Sequence, residues 1–261
     1  MHYLDEGQGS PILMIHGNPT WSFYYRNLVT EFSKSNRVVA PDHIGCGLSD
    51  KPRHYEYTLK QHIDNLEKLV LELKLKDFVL IVHDWGGPIG FGLIQRHPDL
   101  VRKIVILNTA AYTSKVIAFQ INMCRIPILA EQVIRRLNGF ALTATYMAVA
   151  KKMSPEIRRG YLYPYDSYDH RIAIARFVAD IPMNRKHRSF RTLKNIELSL
   201  SQHHCPRLIL WGMRDFCFHD YFLNRWREIY PDATIKTFES AGHYILEDAG
   251  DEIIKELKQF L

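Results

Sequence analysis

The chain has 261 residues, 46% of them hydrophobic and 12% aromatic, enough for one large core or a core with a substantial insertion. No run of about 18 apolar residues marks a membrane span, and Cys46, Cys124, Cys205 and Cys217 form no CxxC pair, which reads as reduced thiols in a cytoplasmic protein. The net charge of +6 comes without interleaved basic and stacking residues, which argues against a nucleic-acid module.

Met1 to Glu6 lacks the basic and apolar regions of a signal peptide. Pro11 to Gly17, PILMIHG, reads as a buried strand running into a turn at His16-Gly17-Asn18-Pro19. Thr20 is placed to cap a helix carrying Trp21, Tyr24, Tyr25 and Leu28 on one face. Arg37 to Pro41 is the next strand, and it opens into an irregular Gly- and Asp-rich loop, Asp42 to Asp50. Thr58 to Leu75 is an amphipathic helix, because Ile63, Leu66, Leu69, Val70 and Leu73 recur at three- and four-residue steps. Phe78 to Val82 is short and β-branched, as a strand buried on both faces should be. A helix ending near His97-Pro98 and a strand over Lys103 to Leu107 follow. Strands alternating with helices at this pace predict an α/β fold with a mainly parallel sheet covered on both faces.

From about Tyr112 to Leu200 the alternation stops. Helix-like patches (Val116 to Cys124, Ala130 to Leu137, His170 to Ala179) are broken by Pro127, Pro155, Pro164 and Pro182. Residues 112–200 therefore read as an inserted helical cap over a core made of 1–111 and 201–261. The aromatic run Tyr161-Leu162-Tyr163-Pro164-Tyr165 suits core packing or pocket lining, core first. Residues 113–200 hold 15 Lys/Arg against 6 Asp/Glu, a face suited to an acidic partner, an anionic lipid or an anionic substrate. Alternation returns with the strand Arg207 to Trp211, the helix Asp220 to Tyr230, the strand Thr234 to Phe238 and the helix Asp251 to Leu261.

The Phe78 strand ends in His83-Asp84-Trp85-Gly86-Gly87. Strand, tight Gly-rich turn and helix make up a nucleophile elbow, with Asp84 where a serine often stands. A carboxylate is ionised at neutral pH, so it can attack carbon and form an ester without an activating base. The plainer alternative is that Asp84 caps the helix opening at Trp85. Asp215 and His243 also lie just past strand ends, completing the chain order nucleophile, acid, base. Parallel strands gather such ends on one rim, where ligands bind. No metal or organic cofactor is expected: the one adjacent histidine pair, His203-His204 beside Cys205, has no fourth ligand at the usual spacing.

From Met1 to Leu261 the chain resembles α/β-hydrolases of the haloalkane-dehalogenase-like group. The matching segments are His16-Gly17-Asn18-Pro19-Thr20, Pro41 to Ser49, the HDWGG elbow and Ala241-Gly242-His243. The resemblance implies a catalytic triad of Asp84, Asp215 and His243. Backbone N–H groups of Asn18 and Trp85 would form the oxyanion hole, and the Asn18 amide and Trp85 indole would hold a halide or lactone oxygen. Pro164-Tyr165-Asp166-Ser167, Arg176 to Pro182 and Gly212 to Phe218 look like the β-lactone decarboxylases of bacterial olefin biosynthesis. That branch implies a small apolar substrate, decarboxylation of cis-3,4-dialkyl oxetan-2-ones to alkenes, and assembly with a lactone synthetase. A haloalkane dehalogenase is the alternative; an epoxide hydrolase or a non-catalytic receptor stands further off. Relatives normally carry an extra edge strand ahead of the position of Met1, and its loss would expose a sheet edge.

Overall fold

The computed structural model describes residues 1–261. Its seven strands are β1 (Tyr3–Glu6), β2 (Pro11–Ile15), β3 (Arg37–Pro41), β4 (Phe78–His83), β5 (Val101–Leu107), β6 (Arg207–Gly212) and β7 (Thr234–Phe238). They form one sheet in the order β1-β3-β2-β4-β5-β6-β7. Only β1 runs antiparallel, against β3; the remaining pairs are parallel, so the carboxyl ends of β2 to β7 share one rim.

The side-chain period of two explains the continuous apolar runs. In β4, Leu80 and Val82 face one core with Ile63, Leu66, Ile89 and Trp226. Val79 and Ile81 face the other, with Leu28, Val29, Ile253 and Leu257. These partners come from helices on the two faces: α1 (Arg26–Phe32), α2 (Leu59–Glu72) and α3 (Gly86–Arg96), and, late in the chain, two more described below. Thr58 caps α2 by accepting the Gln61 N–H at 3.2 Å. Thr20 does not cap a helix. Its hydroxyl bonds the Gly17 N–H and carbonyl, both at 3.2 Å, closing the turn that carries Asn18, and a 3-10 turn over Ser22–Tyr25 leads into α1.

Between β5 and β6 there is no strand. The segment contains α4 (Phe119–Met123), α5 (Pro127–Leu129), a π-helix over Ala130–Arg136, α6 (Gly139–Met147), α7 (Pro155–Leu162), α8 (Ile172–Ala179) and α9 (Phe190–Ser199). Two prolines read as breaks are starts: Pro127 and Pro155 open α5 and α7, with Ser154 accepting the Ile157 N–H. Proline suits a first helical turn because its missing N–H would be unpaired there anyway. Tyr161 and Tyr165 are buried in core clusters, whereas Tyr163 is exposed; none of the three lines the cavity that reaches Asp84. The chain closes with α10 (Asp220–Ile229), α11 (Ile245–Asp248) and α12 (Gly250–Phe260).

Candidate active site

The sharp turn after β4 puts Asp84 at φ 49°, in the left-handed region that non-glycine residues seldom occupy. Its N–H donates to the Asn108 carbonyl at 3.1 Å, and its own carbonyl accepts the Gly87 N–H at 3.0 Å and the Thr109 hydroxyl. A Cβ on Gly86 would collide with the Ile15 carbonyl oxygen, and one on Gly87 with the Thr109 side chain, so the turn requires both glycines. The helix-cap reading of Asp84 fails on this geometry. Trp85 occupies the cap position, and Asp84 Oδ1 accepts the Asn18 N–H at 2.6 Å from the turn after β2.

His243 stands across from it. Its Nδ1 donates to Asp215 Oδ2 at 2.7 Å, and its Nε2 lies 3.8 Å from Asp84 Oδ2. Asp215 is buried, and its Oδ1 accepts the N–H groups of Cys217 and Phe218 at 2.7 and 3.0 Å. The three side chains named from the sequence thus converge at the carboxyl rim.

Three further residues hold this geometry without having been singled out. His83 Nε2 donates to the His243 carbonyl at 2.9 Å. Asp248 accepts the Gly242 N–H at 2.7 Å, and the N–H groups of Ala150 and Lys151 at 2.8 Å, tying the His243 loop to the segment after α6. Asn108 bonds both the N–H and the carbonyl of Gly212, at 2.8 and 3.0 Å, locking the end of β5 to the end of β6. Asn108 directly follows β5, so the rule that strand ends carry function could have found it; Asp248 gives no sequence signal.

Burial pushes the Asp84 carboxyl above its ordinary range; the His243 charge and the N–H groups of Asn18 and Trp85 oppose the rise, and Asp215 adds to it. For His243, burial alone would lower the pKa, but the charge and hydrogen bond of Asp215, and the charge of Asp84, raise it on balance. The other buried histidines go the opposite way. His16 falls to about 4, and His43, His62, His83 and His203 are also lowered, each by burial first. Among these buried histidines, His243 is the one whose surroundings favour the protonated ring.

Asp84 and His243 open into a cavity with a mainly apolar wall, which includes Ile121, Phe140 and Ala144 from the helical segment and Phe218 and Phe222 from beyond β6. Asn18 and Trp85 are in the same wall, whereas Asp215 sits behind His243. Of the four tryptophans, Trp21, Trp211 and Trp226 donate their indole N–H to backbone carbonyls, leaving Trp85 with a free donor. The Asn18 amide is less free: Nδ2 donates to the Ile174 carbonyl at 3.3 Å, leaving it one further N–H. No group of three His, Cys, Asp or Glu side chains is placed to hold a metal ion.

A sequence profile of the alpha/beta hydrolase fold matches residues 10–136. A cis-3-alkyl-4-alkyloxetan-2-one decarboxylase of Shewanella oneidensis is 45% identical, covering 100% of this chain and 85% of the relative. The enzyme of the same name from Xanthomonas campestris is 39% identical, covering 100% of this chain and 92% of its own. The chain belongs to the α/β-hydrolase family of cis-3-alkyl-4-alkyloxetan-2-one decarboxylases. Haloalkane dehalogenases lie near this family: one from Mycobacterium bovis is 32% identical over 97% of this chain and 88% of its own. Among solved structures, an ancestral haloalkane dehalogenase superposes with a TM-score of 0.91 at 24% identity, over 99% of this chain and 94% of the other, a likeness of fold.

Proposed function

We propose that this protein converts cis-3-alkyl-4-alkyloxetan-2-ones to alkenes and carbon dioxide, with Asp84 as nucleophile. One observation carries the reading: in a chain 45% identical to such a decarboxylase, a largely buried carboxylate lies 3.8 Å from an Asp215-held imidazole and opens into a mainly apolar cavity.

Attack of the Asp84 carboxylate on C4 breaks the O1–C4 bond of the strained ring and leaves a free carboxylate on C3. The substrate is then an ester of Asp84. Next the C2–C3 bond breaks, its electron pair forms the C3=C4 double bond, and the C4–O bond returns its electrons to Asp84. Carbon dioxide and alkene depart, Asp84 is regenerated, and neither water nor a proton is consumed. Inversion at C4 followed by anti elimination keeps the two alkyl groups cis.

The carboxylate expelled from the ring needs donors. The Trp85 indole, the remaining Asn18 amide N–H and a protonated His243 provide them, as charge-assisted hydrogen bonds. The backbone N–H groups of Asn18 and Trp85 form the hole that steadies the nucleophile, and losing one such donor costs about 3–4 kcal/mol of transition-state stabilisation. Asp215 fixes the His243 tautomer and stabilises its imidazolium form.

A haloalkane dehalogenase is the second reading, favoured by the free Trp85 N–H as a halide donor and by the mycobacterial relative. In that reading His243 activates water against the Asp84 ester. One purified sample given a cis-dialkyl oxetanone and, separately, a haloalkane decides between the two. Alkene without halide release is the expected result; halide release without alkene replaces it with the dehalogenase.

The proposal includes a cytoplasmic setting, in keeping with four free cysteines, and a complex with a lactone synthetase that hands over the reactive ring. Co-purification of the two chains tests the complex.

A further inference from the structure

The apolar side chains that the fold leaves in water are concentrated. Of sixteen exposed large hydrophobic residues, nine lie within residues 116–147, on or beside α4, α5 and α6. Phe119, Ile128 and Leu137 are 73%, 73% and 72% exposed. The same helices turn other side chains inward, since Ile121 of α4 and Phe140 and Ala144 of α6 line the cavity above Asp84. One thin layer therefore has apolar surface on both sides, the cavity beneath it and solvent outside. Soluble monomers rarely leave large contiguous apolar patches in water.

The charge around this layer has one sign. Residues 113–160 carry eight Lys/Arg against two Asp/Glu. Both acids are already paired within the stretch, Glu131 with Arg135 at 3.5 Å and Glu156 with Arg159 at 3.1 Å. Arg158 stacks over the exposed Tyr146 ring, 4.8 Å from its centroid, so cations border the patch directly. The cores of protein–protein interfaces are depleted in charged residues other than arginine. Apolar side chains rimmed by Lys and Arg instead suit a partner that is apolar within and anionic outside, namely a bilayer with acidic headgroups.

We propose that residues 116–147 dock the protein on an anionic bilayer surface, with Phe119, Ile128 and Leu137 entering the acyl region. The layer that enters the lipid is also the roof of the cavity, so an apolar substrate dissolved in the bilayer passes into the site without crossing water. The docking rests on the surface alone; the delivery rests on the substrate reading given above. Attachment is peripheral, since no helix is long and apolar enough to cross a membrane.

The test is co-sedimentation of the full chain with vesicles of phosphatidylcholine alone or mixed with phosphatidylglycerol, at low and high salt. Binding is expected to the phosphatidylglycerol vesicles, weaker at high salt because screening reaches exposed charges first. The double variant Phe119→Glu/Ile128→Glu is expected to lose binding by about tenfold or more. Its circular dichroism and its turnover of a short, water-soluble oxetanone stay unchanged, which excludes misfolding. A second variant, Lys115→Glu/Arg136→Glu, is expected to lose the preference for phosphatidylglycerol. Absence of co-sedimentation, or full binding by the Phe119→Glu/Ile128→Glu variant, overturns the docking. So does a concentration-dependent dimer in sedimentation velocity that this variant dissolves, which would assign the patch to a second copy of the chain. Vesicle binding without any oxetanone turnover would instead remove the substrate reading and leave the docking in place.

Discussion

Asp84 is held where its charge is disfavoured. Its pKa is raised in the folded chain, so between the unfolded and folded values the native state binds a proton that the unfolded chain has released. By linkage its contribution to stability falls as pH rises through that window, and the ionised form is a net cost at neutral pH. Asp84→Asn removes the charge and keeps an oxygen for the Asn18 N–H. Its denaturant midpoint at pH 7 is expected to equal or exceed that of the unchanged protein, while alkene formation falls by orders of magnitude. The pH profile follows from the same pair. Attack needs Asp84 ionised and the proposed donor role needs His243 protonated, and both pKa values are raised. The other buried histidines stay neutral and the Cys217 thiol is raised well above its ordinary value, so none of them supplies the limbs. Oxetanone turnover is expected to be bell-shaped in pH, with the alkaline limb lost in His243→Gln together with most activity. Water activation would require neutral His243, so a halide-releasing enzyme would instead gain activity as pH rises through the raised value.

At the scale of elements, the sheet was legible and much of the helical segment was not. β3 and β7 match their expected spans of Arg37 to Pro41 and Thr234 to Phe238, and β2, β4, β5 and β6 fall within about two residues of expectation. Runs buried on both faces leave few alternatives to a strand. The amphipathic α2 was equally plain. By contrast α6, α7 and α9 were missed, and the patch at Val116 to Cys124 shrank to Phe119–Met123. In α6, Phe140 and Ala144 face the cavity while Leu142, Tyr146 and Met147 face solvent. A helix apolar on both sides shows no period. The elbow depends on close approach, which a pair of substitutions measures. Gly86→Ala drives a methyl group into the Ile15 carbonyl oxygen, and a loss of at least about 1–3 kcal/mol is expected from overpacking. Gly250→Ala at the start of α12 meets nothing within 4 Å and is expected to be neutral or stabilising by less than about 1 kcal/mol. Urea midpoints of the two variants check both; equal stabilities would remove the steric basis of the turn.

Over the whole molecule, parallel connectivity does what local sequence cannot. Asp84, Asp215 and His243 are far apart in the chain, yet each follows a strand of the same rim, and that rule sufficed to group them. The supports of the site were hidden for the converse reason. His83 acts on the His243 loop across the fold, and Asp248, six residues beyond Gly242, ties that loop to the distant Ala150 and Lys151 N–H groups, pairings that no local pattern announces. The same topology sets the cavity between the rim and the helical segment, so Asp84 faces a wall made mainly of apolar side chains. Covalent attack by Asp84 on a ring carbon is the step on which the proposed chemistry turns. A rapid-quench single turnover of a cis-dialkyl oxetanone in ¹⁸O-labelled water, followed by mass analysis of the peptide containing Asp84, observes that step directly. The expected result is a transient adduct of intact lactone mass on Asp84 that decays as cis-alkene appears, with no ¹⁸O left in the carboxylate. Undiminished alkene formation by folded Asp84→Asn, with no adduct on the unchanged protein, would contradict it.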